Sequence, residues 1–395
     1  MDKATQQFIL DHAGDNPARL MLQASRFPGI DMPFVIRQIA ARQRIKAKIP
    51  TFYEHPDLEY PRQLSVEQSS SEQTALHKAK LVSGTSLVDL TGGLGVDFYF
   101  MAQHFNESIY VERQEELCEL AAINFKILQL KNYSIRNADA TDYIHQLTQA
   151  DVIYLDPHRR DKLGRKAVQI SDCEPDLTQL SSLLTSKAKT VVVKLSPMLD
   201  LHRALLDLKE TIQVDILSVD NECKEIVLLL RKEDAVTTPL IRCFNYLKNG
   251  EIQLFSYTGL EDTELNTYTD SPSGYLYEPN PSIMKSGAYN RIADQFELKK
   301  FHPNTHLYSS EQYHDEFPGR VFKISENIEF SKSVVRQLRD SYPKANISVR
   351  NFPLSVDEMR KRTKIKDGGN WYMFASTVGS NKHLLTLCTK TERKL

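Results

Sequence analysis

LVDLTGGLGVDFYF, residues 87–100, joins a short apolar strand that ends on an acid to an amphipathic helical segment. Gly92, Gly93 and Gly95 crowd the junction. Glycine lets the backbone approach a ligand closely, and a helix N-terminus offers free N–H groups. The stretch therefore predicts a cleft for a nucleotide-like cofactor, and the alternative is a tight strand-to-helix turn that binds nothing.

The spacing of this loop excludes two common phosphate-binding motifs. A P-loop ends on Gly-Lys-Ser/Thr, but Val96 and Asp97 follow the last glycine here. A dinucleotide fingerprint that starts at Gly93 needs a glycine where Phe98 stands. Acids flank the loop at Asp89 and Asp97. Carboxylates repel a pyrophosphate, so they favour a zwitterionic or cationic ligand.

Strand-like runs alternate with helical stretches over the middle of the chain. This alternation predicts a parallel sheet that is covered on both faces. The last two runs, TIQVDILSV and EIVLLLR, are separated only by DNECK, so the final strand is expected to run antiparallel to its neighbour. The earlier strand-like runs lie at 86–90, 108–112, 133–136, 151–155 and 189–195.

Acidic residues recur at the ends of these strands. Glu112 follows Asp89 by 23 positions, Asp139 follows the third strand, and Asp156 follows the fourth. Ligands of open α/β sheets bind at the carboxyl ends of the strands, so we expect these acids to share one edge. A carboxylate at the end of the second strand can accept both ribose hydroxyls of an adenosyl group. Taken singly, each acid has another explanation, as a helix cap or a solvated loop residue.

Composition narrows the class of protein. The chain of 395 residues has 50 basic and 51 acidic residues, so any site for a polyanion must be local. Its five cysteines are scattered without C-x-x-C spacing, which supports neither a disulfide framework nor a zinc site. No aliphatic run approaches the ~20 residues that cross a bilayer, and the N-terminus does not resemble a signal peptide. We expect a cytoplasmic protein with no membrane partner and no metal, and the oligomeric state stays open.

The chain is expected to form four parts. A helical N-terminal region covers residues 1–80, and the alternating sheet domain covers 81–236. A small α+β domain, for which a ferredoxin-like fold is one option, covers 237–325. The last unit covers 326–395 and contains a helix that opens with a capping box at Ser355.

These motifs together carry a resemblance to a known family. D-L-T-G-G-L-G at 89–95 and D-P-H-R at 156–159, with the strand-end acids between them, resemble class I S-adenosylmethionine-dependent methyltransferases over about residues 81–232. E-Q-S-S-S-E-Q-T-A at 67–75 and ISVRNFPLSVDEMRKRTKIKDGGNWYMFA at 347–375 narrow the resemblance to bacterial members with a THUMP-like C-terminal domain. THUMP domains deliver RNA to such enzymes.

The resemblance implies a fold, a cofactor and a substrate. The fold would be α/β, with a seven-stranded Rossmann-like methyltransferase sheet, a helical N-terminal region and smaller α+β C-terminal domains. The cofactor would be S-adenosyl-L-methionine and the substrate an RNA, with a base of tRNA as the expected acceptor. Its cofactor-binding residues would be Asp89, Thr91, Gly92, Gly93, Gly95, Asp97, Glu112, Asp139 and Ala140.

Within that set, Asp89 would face the amino group of the methionine moiety. Glu112 would hold the ribose and Asp139 the adenine. Thr91 stands where most family members have glycine.

The catalytic candidates implied by the resemblance are Asp156, Pro157, His158 and Arg159. Amino-group methyltransferases that act on bases carry Asp/Asn-Pro-Pro and then an aromatic, so His158 and Arg159 depart from that pattern and leave the acceptor atom open. Asp156 is expected to orient an amine or take its proton. D-P-x-R also resembles uracil-C5 methyltransferases, but Cys223, beyond the sixth strand, is a poor match for their nucleophile.

Two basic clusters are candidates for RNA contacts. They contribute Arg159, Arg160, Lys162 and Arg165 after the fourth strand, and Arg360, Lys361, Arg362, Lys364 and Lys366 near the C-terminus. Both clusters can equally be solvated surface. Two other functions therefore stay open: a methyltransferase for a protein or small molecule, and a non-catalytic RNA-binding protein on a methyltransferase fold.

Overall fold

The computed structural model describes residues 1–61, 63–159, 169–232, 238–259, 261–264 and 267–391. The chain forms two compact units: Met1–Asp215 with Glu225–Leu240, and Ile216–Lys224 with Ile241–Leu395. The second unit therefore includes the tip of one hairpin, Ile216–Lys224.

The first unit begins with a helical region. Asp31 accepts a hydrogen bond from the Phe34 N–H and so starts its longest helix, and Val35 and Ile39 of that helix are fully buried against Ile9. A short 3-10 helix spans Ala24–Arg26. The α-helices are α1 (Lys3–Asp11), α2 (Pro17–Met21), α3 (Met32–Lys48), α4 (Pro50–Tyr53), α5 (Gln63–Gln68) and α6 (Glu72–Leu81).

An alternation of strands and helices follows, as expected. The strands are β1 (Ser86–Asp89), β2 (Glu107–Glu112), β3 (Tyr133–Asn137), β4 (Ala150–Leu155), the short β5 (His158–Arg159) and β6 (Cys173–Glu174), β7 (Ala188–Leu195), β8 (Thr211–Val219) and β9 (Glu222–Leu230). The helices are α7 (Val96–Ala102), α8 (Glu115–Ile127), α9 (Ala140–Gln146), α10 (Leu177–Lys187) and α11 (Leu201–Asp207), with a 3-10 turn at Ile170–Asp172.

Seven of these strands are consecutive neighbours in one sheet, in the order β8-β9-β7-β4-β1-β2-β3. The strands β3, β2, β1, β4 and β7 pair in parallel, and β9 runs antiparallel to β7. The interior strand β7 has Val191, Val192 and Val193 fully buried, as expected for a strand covered on both faces. The predicted fold class, including the antiparallel final strand, is confirmed.

The second unit contains β10 (Leu240–Tyr246), β11 (Ile252–Thr258), β12 (Tyr275–Pro279), β13 (Lys299–His302), β14 (Thr305–Ser310), β15 (Gly319–Glu329), β16 (Asn346–Arg350), β17 (Trp371–Val378) and β18 (Lys382–Lys390). Its helices are α12 (Pro281–Ser286), α13 (Arg291–Gln295), α14 (Lys332–Ser341) and α15 (Val356–Thr363). Seven of these strands form a sheet in the order β13-β14-β12-β15-β18-β17-β16. The capping box is confirmed, since Ser355 and Glu358 exchange hydrogen bonds at the start of α15.

Among the described residues, none of the helices combines the length and apolar character needed to cross a bilayer.

Candidate active site

The glycine loop lies between β1 and α7. Gly93 and Gly95 have left-handed backbones, with φ of +55° and +79°. A methyl group on Gly92 would lie 2.2 Å from the Tyr110 ring, and one on Gly95 would lie 2.7 Å from the Phe125 ring. The loop therefore needs glycine at Gly92 and Gly95 partly because aromatic side chains pack beneath it.

Glu112, at the end of β2, holds this loop in place. It is only 6% exposed, and its Oε2 accepts the Gly93 N–H at 3.0 Å. Its Oε1 accepts the Gln114 N–H at 2.8 Å. Each oxygen of a carboxylate has two lone pairs, so both retain capacity for a further donor such as a hydroxyl group.

Asp89, at the end of β1, is 1% exposed and accepts the Thr91 N–H at 2.9 Å. Burial raises the pKa of the Asp89 carboxyl well above its usual value, against the effect of that hydrogen bond. The neighbouring carboxylates of Asp97, Asp156 and Glu112 raise the pKa further. A cation placed beside Asp89 would therefore be strongly favoured, because it would stabilise the ionised form.

Two adjoining pockets of the first unit form one cleft, since both are lined by Thr91, Gln114 and His158. One pocket is lined further by the glycine loop and by Asp89, Asp97, Asp156 and Lys194. The other is lined by Glu112, Asp139, Ala140 and Glu174. Asp139 also caps α9 by accepting the Thr141 N–H at 2.8 Å. All nine residues named above as cofactor-binding candidates therefore line this cleft.

Asp156 follows β4 and enters the same cleft. Its backbone N–H donates to the Thr91 hydroxyl at 2.6 Å, which gives Thr91 a function that glycine could not perform. Its carboxylate forms an ion pair with Lys194 of β7. The Asp156 side chain is 33% exposed and the Lys194 side chain 10%, so the pair is reached from the cleft.

The other residues of the D-P-H-R motif differ in exposure and in whether they line the cleft. Pro157 is buried and does not line the cleft, whereas His158 is exposed and lines it. The backbone of Arg159 belongs to β5, which pairs with Cys173 of β6. The side chain of Arg159 and the predicted substrate-binding residues Arg160, Lys162 and Arg165 lie outside the described residues.

Sequence patterns missed several charged residues behind the cleft. Lys78 of α6 is fully buried and forms ion pairs with Asp97, at 3.1 Å, and with Glu225 of β9. Ser70 donates to Asp97 at 2.7 Å and accepts from Lys78 at 3.1 Å. Tyr154 donates to the same Asp97 oxygen at 2.7 Å. Asp97 therefore lines the cleft and also links α7 to Lys78 of α6 and to Tyr154 of β4.

The charges in this network determine its protonation. Burial raises the pKa of Asp97, but the charges of Lys78 and Lys194 and the hydrogen bonds from Tyr154 and Ser70 together hold it below its usual value. Burial likewise lowers the pKa of Lys194, but Asp156, Asp97 and Glu225 outweigh burial and raise it above its usual value. The one sequence signal was a lone lysine at position 194 in the apolar run TVVVKLSP, because a buried ammonium requires partners.

The C-terminal basic cluster lies in the second unit. Arg360 is half-buried; its guanidinium forms an ion pair with Asp367 and donates to the Ile365 carbonyl at 3.3 Å. The remaining residues of the cluster, Lys361, Arg362, Lys364 and Lys366, are exposed. Cys223 lies in the hairpin tip of the second unit, and the cleft is lined by residues of the first.

Comparisons with known proteins agree with this architecture. A family model described as a ferredoxin-like domain matches residues 275–318, and one described as THUMP domain-like matches residues 319–390. A search among curated proteins found no match. An rRNA methylase structure from Streptococcus thermophilus is 12% identical, covers 40% of this chain and 94% of its own, and has a TM-score of 0.30, too low to carry an inference.

The crystal structure of a candidate methyltransferase from Porphyromonas gingivalis is far more similar. It is 35% identical and has a TM-score of 0.88, and the match covers 99% of this chain and 100% of the other. The expected resemblance is confirmed, and the protein belongs to the class I methyltransferase family whose members carry a THUMP-like C-terminal domain.

Proposed function

We propose that this methyltransferase uses S-adenosylmethionine and modifies RNA. The observation that carries the cofactor is the pair of carboxylates in the cleft, Asp89 and Glu112. Among the described residues no cation forms an ion pair with Asp89, and both oxygens of Glu112 keep acceptor capacity. A zwitterionic ligand with an ammonium group and a ribose fits these two carboxylates.

The chain's residues would hold that ligand along the cleft. Asp89 would accept the ammonium of the methionine moiety, Glu112 the two ribose hydroxyls, and Asp139 the adenine amino group, with Ala140 beside it. When bound, the cofactor supplies a methyl group on a positively charged sulfur. The acidic lining favours this positive charge and disfavours phosphate.

RNA as the substrate is supported by the second unit. A THUMP domain-like family model matches residues 319–390, and Lys361, Arg362, Lys364 and Lys366 expose positive charge there. Phosphate contacts from lysine and arginine supply much of the affinity for nucleic acids. A tRNA substrate stays a prediction.

The test of the function compares nucleosides of tRNA and rRNA, by mass spectrometry, from cells with and without the protein. We expect one methylated nucleoside to disappear and to return on complementation. Unchanged RNA from cells that lack the protein, together with measured cofactor binding, would instead favour a protein or small-molecule acceptor.

Glu112→Gln should weaken binding of S-adenosylhomocysteine by about 1.5–3 kcal/mol, as for hydrogen bonds to charged groups. The amide keeps the shape of the side chain but removes one acceptor oxygen and the charge. Isothermal titration calorimetry measures the loss. Glu107→Gln, at the exposed start of the same strand, is the matched control and should bind normally. Equal affinity of the two variants would remove Glu112 from the ribose site.

Charge reversal of Lys361 and Lys364 should weaken RNA binding without changing cofactor affinity. Each phosphate contact that is lost should reduce the slope of log K against log salt by about 0.7–0.9. Fluorescence anisotropy with bulk tRNA at several salt concentrations measures both effects. Lys299→Glu, an exposed lysine of β13 in the same unit, is the control. A double variant with the parental salt slope would contradict the assignment.

A further inference from the structure

The charged network behind the cleft includes side chains that are not among the cofactor-binding candidates. Five charged side chains meet there, and each comes from a different element: Lys78 of α6, Asp97 of α7, Asp156 after β4, Lys194 of β7 and Glu225 of β9. Burying two ammonium groups and three carboxylates is costly unless they pair closely. Because part of this network lines the cleft, its charges can act on an acceptor bound there.

The members of the network differ in how far they reach into the cleft. The side chains of Lys78 and Glu225 are 0% and 3% exposed, whereas that of Asp156 is 33% exposed. Lys194 lines the cleft beside Asp156. Asp97 also lines the cleft, but its carboxylate is already bound by Lys78, Ser70 and Tyr154. The deep pair therefore supports the pair at the surface of the cleft, and Asp156 and Lys194 are the two groups that we assign to the acceptor.

Asp156 and Lys194 differ in whether they can accept a proton from the acceptor. The surrounding carboxylates, Asp156, Asp97 and Glu225, outweigh burial and raise the pKa of Lys194. Lys194 is therefore a hydrogen-bond donor with a positive charge and cannot take a proton at neutral pH. Asp156 is the proton acceptor of the pair.

The charge that develops during methyl transfer distinguishes acceptors. An amine gains positive charge as it accepts a methyl group, and a nearby ammonium opposes that change. A hydroxyl oxygen gains negative charge as its proton leaves, and an ammonium stabilises it. The pair therefore suits a hydroxyl, in contrast to the base expected from the sequence.

We propose, on the basis of the function proposed above, that the acceptor is a ribose 2′-hydroxyl of RNA, with Asp156 as its proton acceptor and Lys194 as the donor that stabilises its oxygen. The 2′-hydroxyl is the free hydroxyl of an internal ribonucleotide, because its 3′- and 5′-oxygens are esterified with phosphate. As the oxygen takes the methyl group, its proton moves to Asp156. The carbon–sulfur bond breaks with its electron pair on sulfur, which leaves as a neutral thioether, and Asp156 releases the proton to water.

Alkaline hydrolysis of RNA tests the acceptor directly, because a 2′-O-methyl group makes the adjoining phosphodiester resistant to alkali. RNA from cells with and without the protein is digested and analysed by mass spectrometry. We expect one alkali-resistant dinucleotide to disappear. Loss of a base-methylated nucleoside would overturn this inference and leave the proposed function standing. No change in any methylated nucleotide would overturn the proposed function, and this inference with it.

Replacement of Lys194 tests its proposed role as the donor to the acceptor oxygen. Lys194→Met should lower turnover on the responding RNA by about 100-fold or more, as for loss of an oxyanion donor. Its affinity for S-adenosylhomocysteine, measured by calorimetry, should stay within about twofold, because the ligand is held by Asp89 and Glu112.

The matched control is Lys189→Met, since Lys189 pairs with Asp151 at 2.7 Å at the opposite ends of the same two strands. Lys189→Met should keep parental turnover. If Lys194→Met unfolds, Lys194→Arg preserves the charge, should show a parental melting curve and should keep measurable turnover. Full turnover in folded Lys194→Met, or no turnover in Lys189→Met with normal stability, would overturn the role of Lys194.

Discussion

Asp89→Asn should weaken binding of S-adenosylhomocysteine by about 2–5 kcal/mol, because it removes the charge that faces the ligand's ammonium group. The amide keeps an oxygen that can accept the Thr91 N–H, which Asp89 accepts at 2.9 Å, so the loop should keep its shape. Calorimetry against the parent protein measures the loss. Of the cofactor-site substitutions, we expect this one to have the largest effect on affinity.

The same substitution should stabilise the protein without ligand. Burial raises the pKa of Asp89 in the folded state, so the folded state favours the protonated form. A carboxyl with a raised pKa contributes stability at low pH that is lost as the pH rises through the folded-state pKa. Asp89→Asn removes this cost, so its melting temperature should exceed that of the parent at neutral pH, and the difference should shrink as the pH falls.

The affinity of the parent protein for the cofactor should also depend on pH. Because protonated Asp89 cannot pair with an ammonium group, the affinity of the parent protein should fall as the pH is lowered, and that of Asp89→Asn should change less. If the variant bound S-adenosylhomocysteine as tightly as the parent, Asp89 would not face the ammonium group. A melting temperature below the parental value at neutral pH would contradict the burial cost.

Asp156→Asn should lower turnover by about 100-fold or more, because a positioned proton acceptor contributes typically 10²–10⁴-fold. Cofactor affinity should change little, since the binding carboxylates are elsewhere in the cleft. Steady-state kinetics on the RNA identified by nucleotide analysis, with calorimetry in parallel, separates the two effects.

Two controls accompany this variant. Asp151→Asn removes the carboxylate of the ion pair at the other end of β4 and should keep turnover. Asp156→Asn removes the ion-pair partner of the Lys194 ammonium, which should cost stability because a largely buried charge loses its nearest compensating group. The double variant with Lys194→Met should regain stability but remain inactive. A folded Asp156→Asn protein with parental turnover would exclude Asp156 as the proton acceptor.

Most of the fold of the first unit was predictable from local patterns. The alternation of apolar runs and helical stretches correctly predicted the parallel strands, and the short DNECK gap predicted the reversal of β9. Position at a strand end predicted that Asp89, Glu112, Asp139 and Asp156 would share one cleft, as they do. These predictions work because topology sends the carboxyl ends of parallel strands to one edge.

Sequence patterns did not reveal why particular residues occupy the glycine loop. Glycine at Gly92 and Gly95 was attributed to ligand approach, but the rings of Tyr110 and Phe125 also occupy the space that a side chain would need. Thr91 was only a departure from a family pattern, although its hydroxyl accepts the Asp156 N–H. Both features depend on contacts between elements, which a local pattern does not contain.

The sequence by itself determined the sheet, the glycine loop and the row of acids, because backbone propensity and hydrophobic period act over a few residues. Only the tertiary structure decided which buried charges meet. Lys194 pairs with Asp156 across 38 positions, and Lys78 with Glu225 across 147. A hydrophobic pattern shows that a lysine is buried but not which carboxylate compensates it, and that compensation makes the burial tolerable and sets the chemistry of the cleft.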